Sequence, residues 1–319
     1  MTLAILLVLY SLAVTVLGPP VLDRLSRGDA APRVAIAAWG AAIGGVLLAW
    51  TLAALLISRS LLLGSRDVHD VLADCFDTVE RMAAGGHGLV LQIALLTLAT
   101  LAVVSVAVLI GRVAMALGRA RTRTHQHSRT ARLVADRTPG PGGSVVLNTA
   151  ERTVYCVAGR PPTIVVTRGA LDALDDAQLA AVLAHERAHL SGRHHLLIAA
   201  SRSVASVLPR LRLFEAGAAA IARLVEMWAD DVAVRRHPGP TLVAALLALA
   251  GVGPPGTALA ASGVGIADRV ERLLSPPDPR LVTPVRLALM VTVTALLGGP
   301  VAAAGLVTLL PHLCPFPLY

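Results

Sequence analysis

The chain has 319 residues, of which 55% are hydrophobic and only 15% charged, and its mean hydropathy is +0.70. A soluble globular domain carries roughly 25% charged residues, so the composition argues against an ordinary soluble enzyme. The formal charge of +8 comes entirely from Arg, since the chain has no Lys. Three cysteines exclude a disulfide framework, and 3% aromatic residues leave little material for binding nucleic acid by base stacking.

The hydrophobic residues concentrate in four blocks that carry no charged side chain. Each block is close to the roughly 20 residues that a helix needs to cross a hydrocarbon core of about 30 Å. We therefore predict an integral membrane protein with four transmembrane helices, at about 2–22, 34–57, 88–110 and 287–310. The first block is interpreted as a retained helix, because it lacks the basic region and the A-x-A cleavage site of a signal peptide.

The distribution of Arg predicts the orientation of these helices, because loops on the cytoplasmic side carry the excess of basic residues. Segment 112–137 carries seven Arg and one acid, whereas loop 58–87 carries three Arg and five acids. We therefore expect segment 112–137 in the cytoplasm and loop 58–87 outside. With four spans, both termini then lie outside, and residues 112–286 lie in the cytoplasm.

The Arg-rich segment 112–137 has two interpretations. It includes His125 and His127 and could contact nucleic acid, but nothing in it resembles a helix-turn-helix or another DNA-reading unit. We favour a basic juxtamembrane segment that fixes the topology and contacts anionic lipids of the bilayer. No direct nucleic-acid binding is expected.

Residues 138–283 mix polar and apolar positions and are long enough to bury a core of their own. Short β-branched runs at Val145–Leu147, Val154–Val157 and Thr163–Thr167 predict the strands of a small sheet. An acidic turn at 175–178 then begins a helix, since acids suit the dipole at a helix N-terminus. This segment is predicted to be a cytoplasmic α+β domain between the third and fourth spans.

The predicted helix contains the motif H-E-x-x-H, formed by His185, Glu186 and His189. Residues four apart on a helix lie about 40° apart around its axis, so both imidazoles project from one face. Two histidines in this arrangement can bind one Zn²⁺. Glu186 beside them can take a proton from the attacking water as a general base.

A third protein ligand is needed, and one candidate follows in the same segment. Gly192 and His195 complete the pattern H-E-x-x-H-x-x-G-x-x-H, in which the glycine ends the helix and lets the third histidine reach the metal. We expect the helix to continue instead, because residues 194–208 keep a helical spacing of apolar side chains and no proline precedes Pro209. His195 is therefore the less favoured ligand.

The favoured third ligand is Glu226, on a second helix predicted over about 215–236. Two histidines and a glutamate from a separate helix form the gluzincin type of zinc site. Asp230 lies one turn further along the same face, where its carboxylate can accept a hydrogen bond from the free ring nitrogen of a zinc-bound histidine.

Two alternatives remain open at this helix. Glu215 is a weaker candidate for the third ligand. Glu226 and Asp230 could also form a solvated face opposite Arg223 and Arg235.

Three stretches resemble a known family. H-E-R-A-H-L-S-G-R-H at 185–194, I-V-V-T-R-G-A-L at 164–171 and the pattern E-x-x-A-D at 226–230 resemble the BlaR/MecR-type antirepressor metallopeptidases. These are relatives of the HtpX and CAAX prenyl protease group. The similarity in layout covers nearly the whole chain, with three spans, a cytoplasmic gluzincin domain and a fourth span.

The resemblance implies a membrane zinc endopeptidase with His185, His189 and Glu226 as zinc ligands. It also implies Glu186 as the catalytic base and Asp230 as the partner of a zinc-bound histidine. In that family the substrate is a cytosolic transcriptional repressor of the BlaI/MecI type, cleaved in response to an envelope signal. The alternatives are a housekeeping membrane protease of the HtpX kind and a signalling scaffold without chemistry.

One departure from the family concerns sensing. In the β-lactam sensors the fourth span leads to an extracellular penicillin-binding domain, whereas in this chain Tyr319 lies nine residues beyond Leu310. Direct sensing of β-lactams through an acylated serine is therefore not expected.

The strand Thr163–Thr167 is expected to be an edge strand that pairs with an extended substrate backbone. The group that stabilises the oxyanion is left open among several polar side chains. These are Tyr155, His194, His195, His237 and Arg269.

Two features fall on the side predicted to be outside. Apolar residues at helical spacing in loop 64–86 predict a helix against the membrane or the helix bundle. Cys75 and Cys314 are both predicted outside, so they either pair in a disulfide or are small buried hydrophobic residues.

Overall fold

A computed structural model describes residues 2–28, 30–62, 140–159, 161–251 and 264–313, together with residues 97, 100, 101, 103–119 and 122. The described part is mostly helical, with one small mixed sheet. The strands are β1 (Val145–Leu147), β2 (Val154–Val157) and β3 (Thr163–Thr167). The helices used below are α1 (Thr2–Ser26), α2 (Pro32–Leu62), α3 (Arg168–Ala173), α4 (Asp176–Ser191), α5 (His194–Val207), α6 (Arg212–Ala233), α7 (Gly239–Leu249), α8 (Val264–Leu274) and α9 (Pro279–Leu313). Residues 103–119 are also helical.

Three helices in the described residues are long and apolar enough to cross a membrane. The candidate spans are Leu3–Ser26, Pro32–Ile57 and Pro279–Ala302, in α1, α2 and α9. They correspond to three of the four predicted spans and support a membrane-anchored protein.

Several predictions fall largely or wholly outside the described residues. Most of the predicted span 88–110 and the whole of loop 64–86 lie there, as do Cys75 and Cys314. The four-span count, the orientation of the termini and the pairing of these two cysteines therefore stay predictions.

The three candidate spans pack against one another. Tyr10 of α1 donates a hydrogen bond to the Leu296 carbonyl of α9 at 2.6 Å, and the Trp50 indole of α2 donates to Ser11 Oγ at 3.0 Å. Large apolar side chains point outward along α1 and α9, including Leu12 and Val301. Apolar surface of this kind suits a lipid environment, and the two hydrogen bonds satisfy the Tyr10 hydroxyl and the Trp50 indole inside the bundle.

All three strands form at their predicted positions, but the predicted edge strand is wrong. The sheet order is β1-β3-β2, with β3 parallel to β1 and antiparallel to β2. Every residue of β3 is buried, which is typical of a strand covered on both faces and paired on both sides. The edge strands among the described residues are therefore β1 and β2.

Helix α4 begins as predicted and ends earlier than predicted. Asp175 and Gln178 form a capping box at its start, each side chain bonding the backbone N–H of the other. The helix ends at Ser191, Arg193 adopts a left-handed backbone with φ of 50°, and α5 starts at His194. The prediction of one continuous helix was wrong, because the apolar spacing is the same on both sides of this reversal.

Helix α6 packs both against the candidate spans α1 and α2 and against helix α4. Its first half packs into a core formed with α1 and α2, where Phe214 is fully buried and contacts the Trp50 ring edge-on at 6.0 Å between centroids. A Cβ atom on Gly217 would lie 2.8 Å from Ile43 Cδ1 and 3.1 Å from Trp39 Cε3, so this glycine permits close approach of α6 to α2. The second half of α6 carries Glu226 and Asp230.

Phe214→Ala should weaken the packing of α6 against α1 and α2. Removing a fully buried aromatic side chain costs about 3–5 kcal/mol, so the melting temperature of the purified protein in detergent should fall clearly. Leu196→Ala, at a residue that is 49% exposed, is the matched control and should change it little. Equal melting temperatures for the two variants would contradict the described packing.

Candidate metal centre

Helices α4 and α6 lie side by side and bring three potential metal ligands together. His185 and His189 come from α4, and Glu226 comes from α6. One ligand atom from each lies within 4.8 Å of the other two. The His185 and His189 Nε2 atoms are 3.0 Å apart, and the Glu226 carboxylate oxygens lie 3.4 Å from His185 Nε2 and 3.6 Å from His189 Nε2.

These distances fit a zinc ion. Zn–N and Zn–O bonds of about 2.0–2.1 Å in a tetrahedral site place ligand atoms about 3.3–3.4 Å apart. The three observed separations lie on either side of that value. Two imidazoles and one carboxylate are also a donor set that zinc takes in catalytic sites, where the fourth position stays open.

Asp230 holds His185 in the orientation that a metal requires. Its Oδ1 lies 2.9 Å from His185 Nδ1, so a metal-bound His185 would donate its Nδ1 hydrogen to Asp230 and offer Nε2 to the metal. The Asp230 side chain is 1% exposed, and the Arg269 guanidinium of α8 donates to both of its oxygens at 2.7 and 2.8 Å. Arg269 also lies 3.3 Å from the Glu226 carboxylate.

Asp230 and Glu226 shift the pKa of His185, and their own pKa values are shifted in turn. Burial alone would lower the pKa of His185, but its hydrogen bonds to Asp230 and Glu226 outweigh burial and raise the pKa to about 9. Burial opposes ionisation of Glu226 and Asp230 as well. Hydrogen bonds from the histidines, and from Arg269 in the case of Asp230, hold both carboxyl pKa values below their usual range.

Glu186 lies beside the three potential ligands rather than among them. It lines a cavity of about 250 Å³ together with His185, Glu226 and Arg269. The start of β2 forms one further wall, with Arg152, Thr153 and Val154. Apolar side chains of α4, of α7 with its C-cap residue, and of α8 form the rest, namely Val182, Leu242, Leu246, Leu249, Ala250 and Ile266. Burial and the neighbouring Glu186 carboxylate raise the pKa of the Cys156 thiol, which stays protonated.

The competing assignments do not reach this cluster. His195 is exposed and does not join the group of potential ligands found among the described residues. Glu215 is exposed and accepts a hydrogen bond from the Arg210 backbone N–H at 3.3 Å. Asp230 is buried, so a solvated acidic face opposite Arg223 and Arg235 is wrong for that residue.

Two side chains that were candidates only for the oxyanion have other contacts. Arg269 holds Asp230, as described above. His194 is buried, and its Nδ1 lies 2.9 Å from Nδ1 of His189. The sequence signal for His194 was its position five residues after His189, beyond a glycine; Arg269 had no signal apart from the amphipathic pattern of its helix.

One protein-family model matches part of this chain. Residues 153–253 match the model of peptidase family M48. The match covers β2, β3 and helices α3 to α7 and includes His185, Glu186, His189, Glu226 and Asp230. Metallopeptidases of family M48 are typically zinc-dependent, so the match supports a gluzincin-type membrane metallopeptidase. Comparisons with curated proteins and with solved structures found no match for this chain.

Asp230→Asn should weaken zinc binding while leaving the three potential ligands in place. Loss of such an outer partner costs about 10- to 100-fold in metal affinity, measured by competition with a chromophoric chelator. Asp231→Asn is the matched control, because Asp231 pairs with Arg272 and does not contact His185. Equal affinities for the two variants would exclude a role for Asp230 in orienting His185.

Proposed function

We propose that this protein is a membrane-anchored zinc endopeptidase that cleaves a cytosolic transcriptional repressor of the BlaI/MecI type. The observation that carries the peptidase assignment is the cluster of His185, His189 and Glu226 beside Glu186, inside the segment that matches family M48. The repressor as substrate rests on the resemblance of residues 164–171, 185–194 and 226–230 to the antirepressor peptidases.

The chemistry proposed is hydrolysis of a peptide bond. Zinc held by His185, His189 and Glu226 would supply Lewis acidity, lowering the pKa of bound water and polarising the substrate carbonyl. Glu186 takes the proton from the attacking water and delivers it to the leaving nitrogen. Asp230 and Arg269 keep His185 and Glu226 in place throughout.

The strand β2 is the surface that we expect to pair with an extended substrate. The Thr153 backbone N–H donates to Thr167 Oγ1, and the Thr153 carbonyl accepts from the Thr167 backbone N–H. With the antiparallel register, the backbone groups of residues 153, 155 and 157 therefore face β3. The backbone groups of Val154 and Cys156 point the other way, and Val154 lines the cavity that holds Glu186. β-strand addition at this edge would place a scissile bond beside the proposed metal.

The distribution of charge supports a cytoplasmic active site. Residues 112–286 carry 22 Arg against 13 acids, an excess of nine positive charges. Basic residues near spanning helices favour the cytoplasmic side, and segment 112–137 would rest on anionic lipid. A cytosolic repressor would then reach the site without crossing the bilayer.

A second candidate function is quality control of membrane proteins, as in the HtpX-type peptidases. The observation that favours it is the shared core of α6 with α1 and α2, which sets the proposed zinc site beside the candidate spans. A substrate that emerges from the bilayer would meet the site directly. The identity of the trapped substrate distinguishes this function from repressor cleavage.

Glu186→Gln should abolish cleavage and keep zinc, because the amide cannot accept the proton but retains the size of the side chain. The full-length variant, produced in its own cells, should trap uncleaved substrate that mass spectrometry then identifies. Glu215→Gln, an exposed acid on α6, is the control and should cleave normally. Undiminished proteolysis by Glu186→Gln would refute the peptidase, while trapped membrane proteins without a repressor would favour quality control.

Val154→Pro should lower kcat/KM for extended substrates without releasing zinc. Proline is tolerated on an edge strand where its missing N–H faces away from the sheet, and one lost backbone hydrogen bond is worth about 1 kcal/mol, or about fivefold. Tyr155→Pro is the contrasting variant, since its N–H faces β3, and should destabilise the sheet. Unchanged kcat/KM for a folded Val154→Pro would rule out substrate pairing at β2.

A further inference from the structure

His194 has a set of contacts that the three potential ligands and the general base do not explain. It is the first residue of α5 and is 1% exposed. Its Nδ1 lies 2.9 Å from Nδ1 of His189, with the two rings at 88° to each other. We propose that His194 is a positioning residue, a neutral imidazole that accepts the His189 Nδ1 hydrogen and so turns the Nε2 lone pair of His189 toward the metal. This inference rests on the zinc site of the proposed function.

If His189 binds a metal through Nε2, the proton shared between His189 and His194 must lie on Nδ1 of His189. His189 Nε2 is the nitrogen inside the cluster, 3.0 Å from His185 Nε2 and 3.6 Å from Glu226 Oε1. A ligating nitrogen carries no proton, so the ring proton of His189 is on Nδ1 and points at His194. His194 must then accept through Nδ1 and hold its own proton on Nε2.

The backbone at the end of α4 explains how His194 reaches this position. The His194 imidazole packs directly over Gly192. A Cβ atom on Gly192 would lie 2.3 Å from His194 Nε2 and 2.6 Å from its Cδ2, so any larger residue would clash with the ring. The left-handed residue Arg193 reverses the chain, which brings His194 back toward His189. The break between α4 and α5 therefore places the His194 side chain beside His189.

The other neighbours of His194 link it to a membrane helix. The Trp228 ring of α6 lies 4.4 Å from the His194 ring between centroids, and the Arg33 guanidinium of α2 lies 4.5 Å above the Trp228 ring. His194 Nε2 is buried and has no hydrogen-bond partner among the described residues. A buried nitrogen without a partner is disfavoured, and a purely packing role would be filled better by an apolar residue.

The two proposed histidine ligands thus have different orienting partners. His185 donates to the Asp230 carboxylate, whereas His189 donates to a neutral ring. A neutral acceptor fixes the tautomer without adding another negative charge to a site that already contains Glu186, Glu226 and Asp230.

The test is zinc affinity of the full-length protein in detergent, measured by competition with a chromophoric chelator. His194→Phe keeps an aromatic ring but removes the acceptor, and affinity should fall about 10- to 100-fold. His194→Asn restores an acceptor close to the position of Nδ1 and should recover most of the affinity. His195→Phe, at the exposed neighbouring histidine, is the matched control and should bind zinc like the wild type.

A second perturbation leaves His194 chemically intact. Gly192 has a φ of −77°, a backbone conformation that alanine also adopts. Gly192→Ala should therefore keep the backbone, while the added Cβ displaces the His194 ring. Zinc affinity should fall as in His194→Phe, and the visible spectrum of the Co²⁺-loaded protein should shift in both variants. This variant decides the matter if His194→Phe does not fold.

Two results would overturn the proposal. One is wild-type zinc affinity in folded His194→Phe or in Gly192→Ala. The other is an equal loss in His194→Asn and His194→Phe, which would mean that the site needs the imidazole shape rather than its acceptor. Absence of tight zinc binding in the wild type would instead contradict the proposed function itself.

Discussion

The buried carboxylate of Asp230 is the interaction on which the proposed site depends. An ionised group that is 1% exposed is stable only if it is paired, and Asp230 is paired with His185 of α4 and with Arg269 of α8. One side chain of α6 thus fixes two other helices around it. Removing the carboxylate would take away the partner of His185 and one of the two carboxylates that pair with Arg269, so the three helices depend on it for their relative positions.

Helix α6 also carries the constraint outward to the membrane helices. Its first half is buried against α1 and α2, and its second half supplies Glu226, Trp228 and Asp230. The contact of Arg33 with Trp228, and of Trp228 with His194, adds a second path between the start of α2 and the histidines of α4. The start of α2 is thus joined to the histidines of α4 by side chains in direct contact.

Local sequence patterns predicted much of this arrangement, but they failed for features that depend on contacts between distant segments. The strands, the start of α4 at 175–178 and the shared face of His185 and His189 follow from short-range spacing. Glu226 was predicted beside them from the gluzincin donor set and the family resemblance, and the structure brings it there. The end of α4 at Gly192 was missed because apolar spacing continues in α5, and the reversal makes sense only with the His194 ring in place. The placement of β3 at the sheet centre was missed because strand order depends on contacts between distant residues.

The sequence by itself determined that His185 and His189 share one helical face with Glu186 beside them, and where the apolar helices lie, because helical periodicity and hydropathy act within a few turns of chain. Only the tertiary structure decided which partner each histidine has. Arg269 is 39 residues from Asp230, and its guanidinium reaches that carboxylate because α8 packs beside α6. Likewise, β2 rather than β3 became an edge strand of the described sheet, next to the cavity that Glu186 lines, since pairing between strands and packing between helices are not encoded in any single segment.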